Sequence, residues 1–442
     1  MKNSNYLTDV RNQYEDYPYP ARNPEEEKTT LYVAKSTSLD CINHYCFDGA
    51  RDFSSNFRVL VAGGGTGDDA IYLAEQLRNT SAEVVYLDMS ASSMKIAQER
   101  AAIRKLDNIQ WVHDSLLNIA QLDIGSFDFI SCTGVLHHLE DPQTGLDALK
   151  SVLNEDGAMY IMLYATIGRT GIYQMQDLLR LINTETPDIE KQISNAKVVL
   201  NALPQGNWFS FNSISCKLDL ATDIGIYDLL LHTQDRSYTV PELYEYIETS
   251  GLQINKLYNP DHPLGDMVFQ PQTYIKDPNL LSKVNELPFK TQAAICELLF
   301  GQIMKQCCFV SFKEVTAPSF EDVDLIPSIS TIYSHEGFGP KLRNQFLGDA
   351  ASIQVNEMFT LARRPHTATL FSLIDGERTT REIVNETIKK TNTSANFDQV
   401  LMELKICMNI LISIGAMFIR KPGVKQGPNI PEMKARVSAF YP

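Results

Sequence analysis

The chain has 442 residues, 44% hydrophobic and 21% charged, enough for two or three domains with sizeable cores. A formal net charge of −15 excludes a generally basic surface of the kind that nucleic acid or anionic membrane requires. The longest apolar run, near 408–419, is too short for a membrane span. The eight cysteines form no C-x-x-C pair, so no metal site is predicted and the reduced thiols of a cytoplasmic protein are expected.

The opening residues have no apolar core and do not read as a signal peptide. Tyr14-Glu15-Asp16-Tyr17-Pro18-Tyr19-Pro20 alternates tyrosine with proline, which removes donors and predicts an extended arm rather than a helix. That arm either packs its tyrosines on the surface or lies as a lid over a site. Asn23-Pro24-Glu25-Glu26-Glu27 is a helix start, its acids placed to compensate the dipole.

Residues 57–69, FRVLVAGGGTGDD, organise the rest of the chain. A strand over Val59–Ala62 runs into Gly63, Gly65 and Gly67, and a helix succeeds them over Ala70–Leu77. Glycines at a strand-to-helix turn allow positive φ and close ligand approach, and the helix N-terminus behind them favours an anionic group. A dinucleotide loop of the NAD type needs G-x-G-x-x-G, and Asp68 stands where its third glycine belongs. The spacing fits a shorter nucleotide-like ligand. Asp88 ends the next strand, 83–87, where a carboxylate can hold ribose hydroxyls, and Asp114 ends the third, 110–113, placed for an adenine amino group. The ligand-contacting set is read as Ala62, Gly63, Gly64, Gly65, Gly67, Asp88, Met89, Asp114, Ser115 and Thr133.

Strand 127–132, a helix from Pro142 to about Leu153, a turn at Glu155-Asp156-Gly157 and a strand over Ala158–Tyr164 continue the alternation that defines a doubly wound α/β sheet. The rhythm breaks over 169–235, a helical insertion above the sheet's carboxyl edge, with Trp208 in a loop at 204–211. The capping box Thr239-Val240-Pro241-Glu242 opens a helix that ends at Gly251. Strands at 253–258 and 307–312 complete the sheet around a second helical stretch, 259–304. The chain thus divides into three regions: a lid-like arm and helix, 1–55; the α/β domain, 56–315; and a linker at Ala317-Pro318 and Pro327 leading to a small winged-helix-like module, 316–442. In the last, Arg420, Lys421 and Lys425 stand at the wing, and the scarcity of base makes packing or partner binding a better reading than DNA contact.

The ordered pieces VLVAGGGTG, YLDMS, Asp114, CTGVLHHLEDP and DGAMYIMLY, over about 57–165, resemble the class I S-adenosylmethionine-dependent methyltransferases. The resemblance implies a Rossmann-like seven-strand sheet and S-adenosyl-L-methionine as cofactor. In that family an acid often stands where this chain has Val61, and it helps hold the methionine amino group; Asp68 or Asp69 is the available substitute. YEDYPYP, YATIGRTGIYQ and DLLLHTQDRSYTVPELYEYIETSGL are further similar to bacterial methyltransferases with an N-terminal Tyr-Pro segment and an extra C-terminal domain, some of which methylate protein lysines. A protein side chain is thus the leading acceptor and a small molecule the second, with a non-catalytic regulator as the reading from another class. Oligomeric state is left open. Tyr17, Tyr19, His137, His138, Tyr164 and Tyr173 are candidates to assist proton removal from an amine acceptor, and Arg169 to bind an acceptor carboxylate or cap its helix. The cluster His232, Asp235, Arg236 and Tyr238 lines an acceptor pocket or makes a turn.

Overall fold

A computed structural model describes residues 11–12, 14–54, 56–210, 212, 216–259, 262–334, 338–355, 360–428 and 434–437. Residues 1–10 and Phe211, on which two of the expectations bear, lie outside the described residues.

An eight-stranded sheet forms the centre. Its strands are β2 (Arg58–Ala62), β3 (Glu83–Asp88), β4 (Ile109–His113), β5 (Phe127–Thr133), β6 (Leu153–Ala165), β7 (Ser237–Tyr238), β8 (Gln253–Leu257) and β9 (Lys305–Ser311); β1 (Thr30–Val33) lies outside it. They run in the order β4-β3-β2-β5-β6-β9-β8, with β7 against the end of β6. All pair in parallel except β9, which runs antiparallel between β6 and β8. Val59, Leu60 and Ala62 are fully buried because helices cover both faces, the reason for a continuous apolar run in place of alternation. The chain leaves β2 toward β3 on one side and returns to β5 on the other. That reversal opens a crevice at the strands' carboxyl ends.

The helices beside the sheet are α1 (Leu39–Cys46), α2 (Asp68–Leu77), α3 (Ala91–Arg104) and α4 (Pro142–Ser151). The insertion holds α5 (Thr170–Ile182), α6 (Ile189–Ala202), α7 (Lys217–Leu220) and α8 (Asp223–Leu230), with its own apolar cluster around Ile172, Leu179, Ile193, Phe209 and Leu230. After it come α9 (Val240–Thr249), α10 (Pro278–Asn285) and α11 (Phe289–Phe300).

Several local expectations are corrected. Residues 14–16 are helical, and the extended stretch begins only beyond them, where the prolines act. The Asn23 start holds, its side chain accepting the Glu25 N–H, but Pro24–Lys28 is a 3-10 turn. Its acids do more than face the dipole: Glu27 is buried and grips Arg100 and Arg104 of α3. Arg100 also pairs with Asp68 at 2.7 Å, and Asp68 with Arg22 at 2.6 Å, so one ion network ties the N-terminal segment to the glycine loop. Helix α4 stops at Ser151, and Glu155-Asp156-Gly157 lies inside β6. There the register jumps from Phe127↔Leu153 to Phe129↔Ala158, so the polar triplet bulges out of a strand that continues past it.

Past β9, Pro327 belongs to β10 (Ile326–Ile329), not to a linker. It sits in an edge strand, where a missing N–H is tolerated, paired with β13 (Met417–Arg420). A ribbon of β11 (Ser352–Gln354) and β12 (Thr360–Ala362) follows α12 (Phe338–Leu347). Next come α13 (Thr367–Ser372), α14 (Thr380–Thr391) and α15 (Phe397–Ser413), and β14 (Lys434–Val437) returns to pair with β1. These elements share buried contacts with the sheet: Phe418 of β13 meets Tyr45 of α1, which stacks on Phe309 of β9 at 5.5 Å. Two of the basic residues expected on a wing are engaged within the chain, Arg420 with the Gly376 carbonyl and Lys421 with Asp48 at 2.6 Å. All eight cysteines are buried and unbridged. No described helix is long and apolar enough to cross a membrane.

Candidate active site

The glycine turn is shaped by close contact. Gly63 has φ 73°, and a Cβ there would come within 2.3 Å of Val135; Gly65 has φ 51°, and its Cβ would meet the Tyr19 carbonyl at 2.8 Å. Only residues without a side chain fit beneath the arm and beside the loop after β5. The Gly65 N–H donates to the Asp88 carboxylate at 2.7 Å, and the Ser90 N–H to its other oxygen at 2.8 Å. Burial lifts the Asp88 pKa above the usual carboxylate range. Asp114 accepts from the Ser115 N–H at 2.7 Å and the Asn118 amide at 2.8 Å, which orients its carboxylate at the end of β4.

These groups line a cleft of about 1530 Å³ including its open mouth. Gly63, Gly64, Gly65, Asp88, Met89, Asp114, Ser115 and Thr133 form one end. Ala62 is fully buried within β2, and Gly67 serves as the left-handed N-cap residue of α2; neither reaches the cleft.

Val61, Asp68 and Asp69 also face the cleft. Asp68 is neutralised by Arg22 and Arg100. Asp69 has hydroxyl partners: Ser131 donates to Oδ2 at 2.7 Å, and Thr133 and Thr37 donate from 3.4 Å. Burial pushes its pKa up to about 6. A buried carboxylate held by hydroxyls alone is a ready partner for a cation.

The arm crosses the cleft. Thr66 Oγ1 donates to the Pro20 carbonyl at 2.7 Å, Ser90 Oγ to the Tyr14 carbonyl at 2.9 Å, and the Glu15 carboxylate caps α3 through the Ala91 and Ser92 N–H groups at 2.8 Å. From this strap Tyr19 Oη donates to Asp219 at 3.2 Å and Tyr14 Oη to Asp228 at 3.4 Å, bridging to the insertion. Burial pushes the Asp228 pKa up to about 7, with Asp219 adding to the rise. Both hydroxyls stay protonated, since burial and the neighbouring carboxylates lift them well above the usual phenol value.

Of the predicted catalytic set, Tyr19, His138, Tyr164 and Arg169 line the cleft. Tyr17 does not: its ring packs on Tyr227 of the insertion at 5.2 Å. His137 is fully buried behind Tyr164, ring centroids 3.9 Å apart, and also lies off the cleft. His138 Nδ1 meets the Gln234 carbonyl at 2.9 Å and must therefore donate, and its ring stacks on His232 at 3.9 Å. Burial lowers the His138 pKa to about 4 and holds the imidazole neutral. Arg169 lies over the Tyr164 ring at 3.5 Å, donates to Tyr173 Oη at 3.2 Å and pairs with Asp235 at 3.7 Å. These partners brace it against the wall, while its Nη2 makes no hydrogen bond among the described residues. Arg236 and Tyr238 lie away from the cleft, and Trp208 is exposed. Sequence reasoning missed Tyr14, Asp219 and Asp228. The signal for Asp228 was present, a single acid within the apolar run IYDLLL.

Residues 60–159 match the family model of a methyltransferase domain. An uncharacterized protein of Synechococcus sp. is 36% identical over 223 residues, which are 50% of this chain and 53% of that protein. The chain therefore spans about half the length of that relative. A ubiquinone biosynthesis O-methyltransferase of Albidiferax ferrireducens is 24% identical across 53% of this chain and 81% of its own. Among solved structures, PKMT2 from Rickettsia typhi in complex with AdoHcy superposes with a TM-score of 0.63 at 14% identity, covering 88% of this chain and 76% of that one, a likeness of fold. The stretch that matches a methyltransferase domain, 60–159, is the one that builds the glycine turn and carries Asp88 and Asp114.

Proposed function

We propose that the chain moves the methyl group of S-adenosylmethionine onto an amine, first of all the side-chain amine of a protein lysine. The methyl donor is S-adenosylmethionine, and the residues present fit it. Asp88 and Asp114 would take the ribose hydroxyls and the adenine amino group. Asp69 would take the methionine ammonium, supplying the negative charge that Val61 lacks. Bound there, the sulfonium supplies an already activated methyl group.

The chain's own part is positioning and proton handling. The arm closes the cleft over the donor and excludes water, and alignment of acceptor with donor supplies several kcal/mol, roughly 7–11 in ideal cases. The observation that carries the amine reading is the far end of the cleft, where Asp219 and Asp228 with the hydroxyls of Tyr19 and Tyr14 offer carboxylates and neutral aromatic walls. Arg169 and Lys305 also line the cleft, and beside them the two carboxylates and the aromatic faces give a cationic amine its own partners. A small-molecule amine is the second reading, favoured by the arm's closure over the cleft, which a bulky partner must enter by a single projecting side chain.

The test is label transfer from methyl-labelled S-adenosylmethionine into extract of cells lacking the protein. Label recovered as N-methyl lysine from the protein fraction supports the leading reading. Label confined to small molecules removes it, and absence of turnover with intact cofactor binding leaves a regulator.

A further inference from the structure

We propose that Asp228 is the group that receives the proton of the acceptor amine, oriented by the Tyr14 hydroxyl. This rests on the amine reading above and adds the residue and the route. Asp228 lies on α8, 8% exposed, in the cleft wall. Its hydrogen-bond partner Tyr14 sits within electrostatic reach of both Asp228 and Asp88, so it stands between the donor-binding end and the acceptor end. The Tyr14 main chain is fixed on Ser90, two residues beyond Asp88. One strap residue thus joins the two halves of the cleft.

The other candidates fail for stated reasons. His137 is walled off from the cleft. His138 points Nδ1–H at a carbonyl and is held neutral, which leaves a weakly basic Nε2. The tyrosines keep their protons and act as donors. Asp219 accepts from Tyr19 much as Asp228 does from Tyr14, but it also faces Lys305, whose charge favours the ionised form and makes it the weaker base. Asp228 titrates near neutrality, where a base works best. The groups that face it are Asp219 on α7, Arg169 before α5, Asp235 after α8, Tyr14 and Tyr19 on the arm, and Tyr164 on β6.

The step balances in atoms and electrons. The acceptor enters as R–NH3+ and gives one proton to the Asp228 carboxylate, leaving R–NH2 and a neutral carboxylic acid. Burial raises the Asp228 carboxyl's own affinity for that proton, which favours the transfer. The nitrogen lone pair then forms the N–CH3 bond as the C–S bond breaks, its electron pair remaining on sulfur. The products are R–NH2+–CH3 and S-adenosylhomocysteine, and the Asp228 proton leaves to solvent before the next turnover.

The experiment compares wild type, Asp228→Asn and Tyr14→Phe in the full chain. Initial rates of labelling of the protein fraction of that extract are measured between about pH 6 and 9, with S-adenosylmethionine affinity measured by calorimetry. Asp228→Asn should lower the rate by about 100-fold or more, abolish the rise of rate with pH near neutrality, and change cofactor affinity by less than about threefold. Tyr14→Phe removes a donor to the carboxylate and should move the pH break upward. If wild type forms N-methyl groups and Asp228→Asn keeps a third or more of the rate with the same pH profile, the assignment to Asp228 is overturned while the amine reading stands. If Asp228→Asn also loses cofactor binding, Tyr14→Phe decides, and an unmoved break overturns the assignment. Labelling by wild type at oxygen alone overturns both.

Discussion

Asp69→Asn is the sharpest single test of how the cleft holds its donor. The wild-type carboxylate is buried among the hydroxyls of Ser131, Thr133 and Thr37, and its pKa is pushed up to about 6. Asparagine keeps the shape and removes the charge. If Asp69 meets the methionine ammonium, losing a charge-assisted hydrogen bond costs about 1.5–3 kcal/mol, or roughly 10- to 150-fold in affinity. The same substitution acts on the fold with the opposite sign. An acid whose folded pKa lies above its unfolded value of ~3.9 adds stability below that value and loses it as the pH rises through the folded pKa. Above about pH 6 the folded chain therefore carries an unfavourable charge worth at most about 2–3 kcal/mol, the hydroxyl donors already included. Asp69→Asn without ligand should melt higher than wild type at neutral pH, and the gap should close toward pH ~4. Calorimetry with S-adenosylmethionine and with 5′-methylthioadenosine, which has no amino acid, checks the binding half. Only the first should weaken in the variant, and in wild type its affinity should fall as the pH drops through about 6. Equal loss for both compounds, or loss for neither, refutes the reasoning.

Asp88→Ala should weaken binding of both compounds by about 1–3 kcal/mol, because it strips a carboxylate from half-buried hydroxyls and also frees the Gly65 N–H; unchanged calorimetry counts against the pose. Glu27→Gln leaves Arg100 and Arg104 short of a buried counter-charge and should cost about 3–5 kcal/mol, read as a lower denaturation midpoint at unchanged slope. Gly65→Ala combines φ 51° with a Cβ 2.8 Å from the Tyr19 carbonyl, so the arm must lift. Limited proteolysis should then cut before Arg22 faster than in wild type, with weaker cofactor binding; an arm cut at the wild-type rate refutes the strap. No metal-ligating cluster of three or more His, Cys, Asp or Glu occurs among the described residues.

Much of the glycine-turn end of the cleft was legible in the residues. A buried apolar strand, glycines at its end and acids closing the next two strands are local signals, each fixed within a few positions, and the βα alternation orders them on one edge. That is why Gly63, Gly65, Asp88 and Asp114 meet in one cleft. The wall formed by the arm and the insertion was not legible, because its parts are far apart in the chain. Tyr14 and Asp228 are 214 residues apart, and Tyr19 and Asp219 are 200. Their meeting depends on how an irregular arm docks on the glycine loop and how the insertion folds back over it. His137 and His138 are neighbours in sequence, yet a 3-10 turn sends one behind Tyr164 and the other to the cleft, a difference that no spacing rule states. The same holds for Glu27, an exposed-looking acid in a charged run that tertiary packing buries between two arginines. Short-range stereochemistry, then, set the strands, turns and strand-end acids from the sequence. Long-range packing alone decided which tyrosines, carboxylates and histidines face one another, since burial and partner distance, which govern charge and pKa, exist only once the chain has closed on itself.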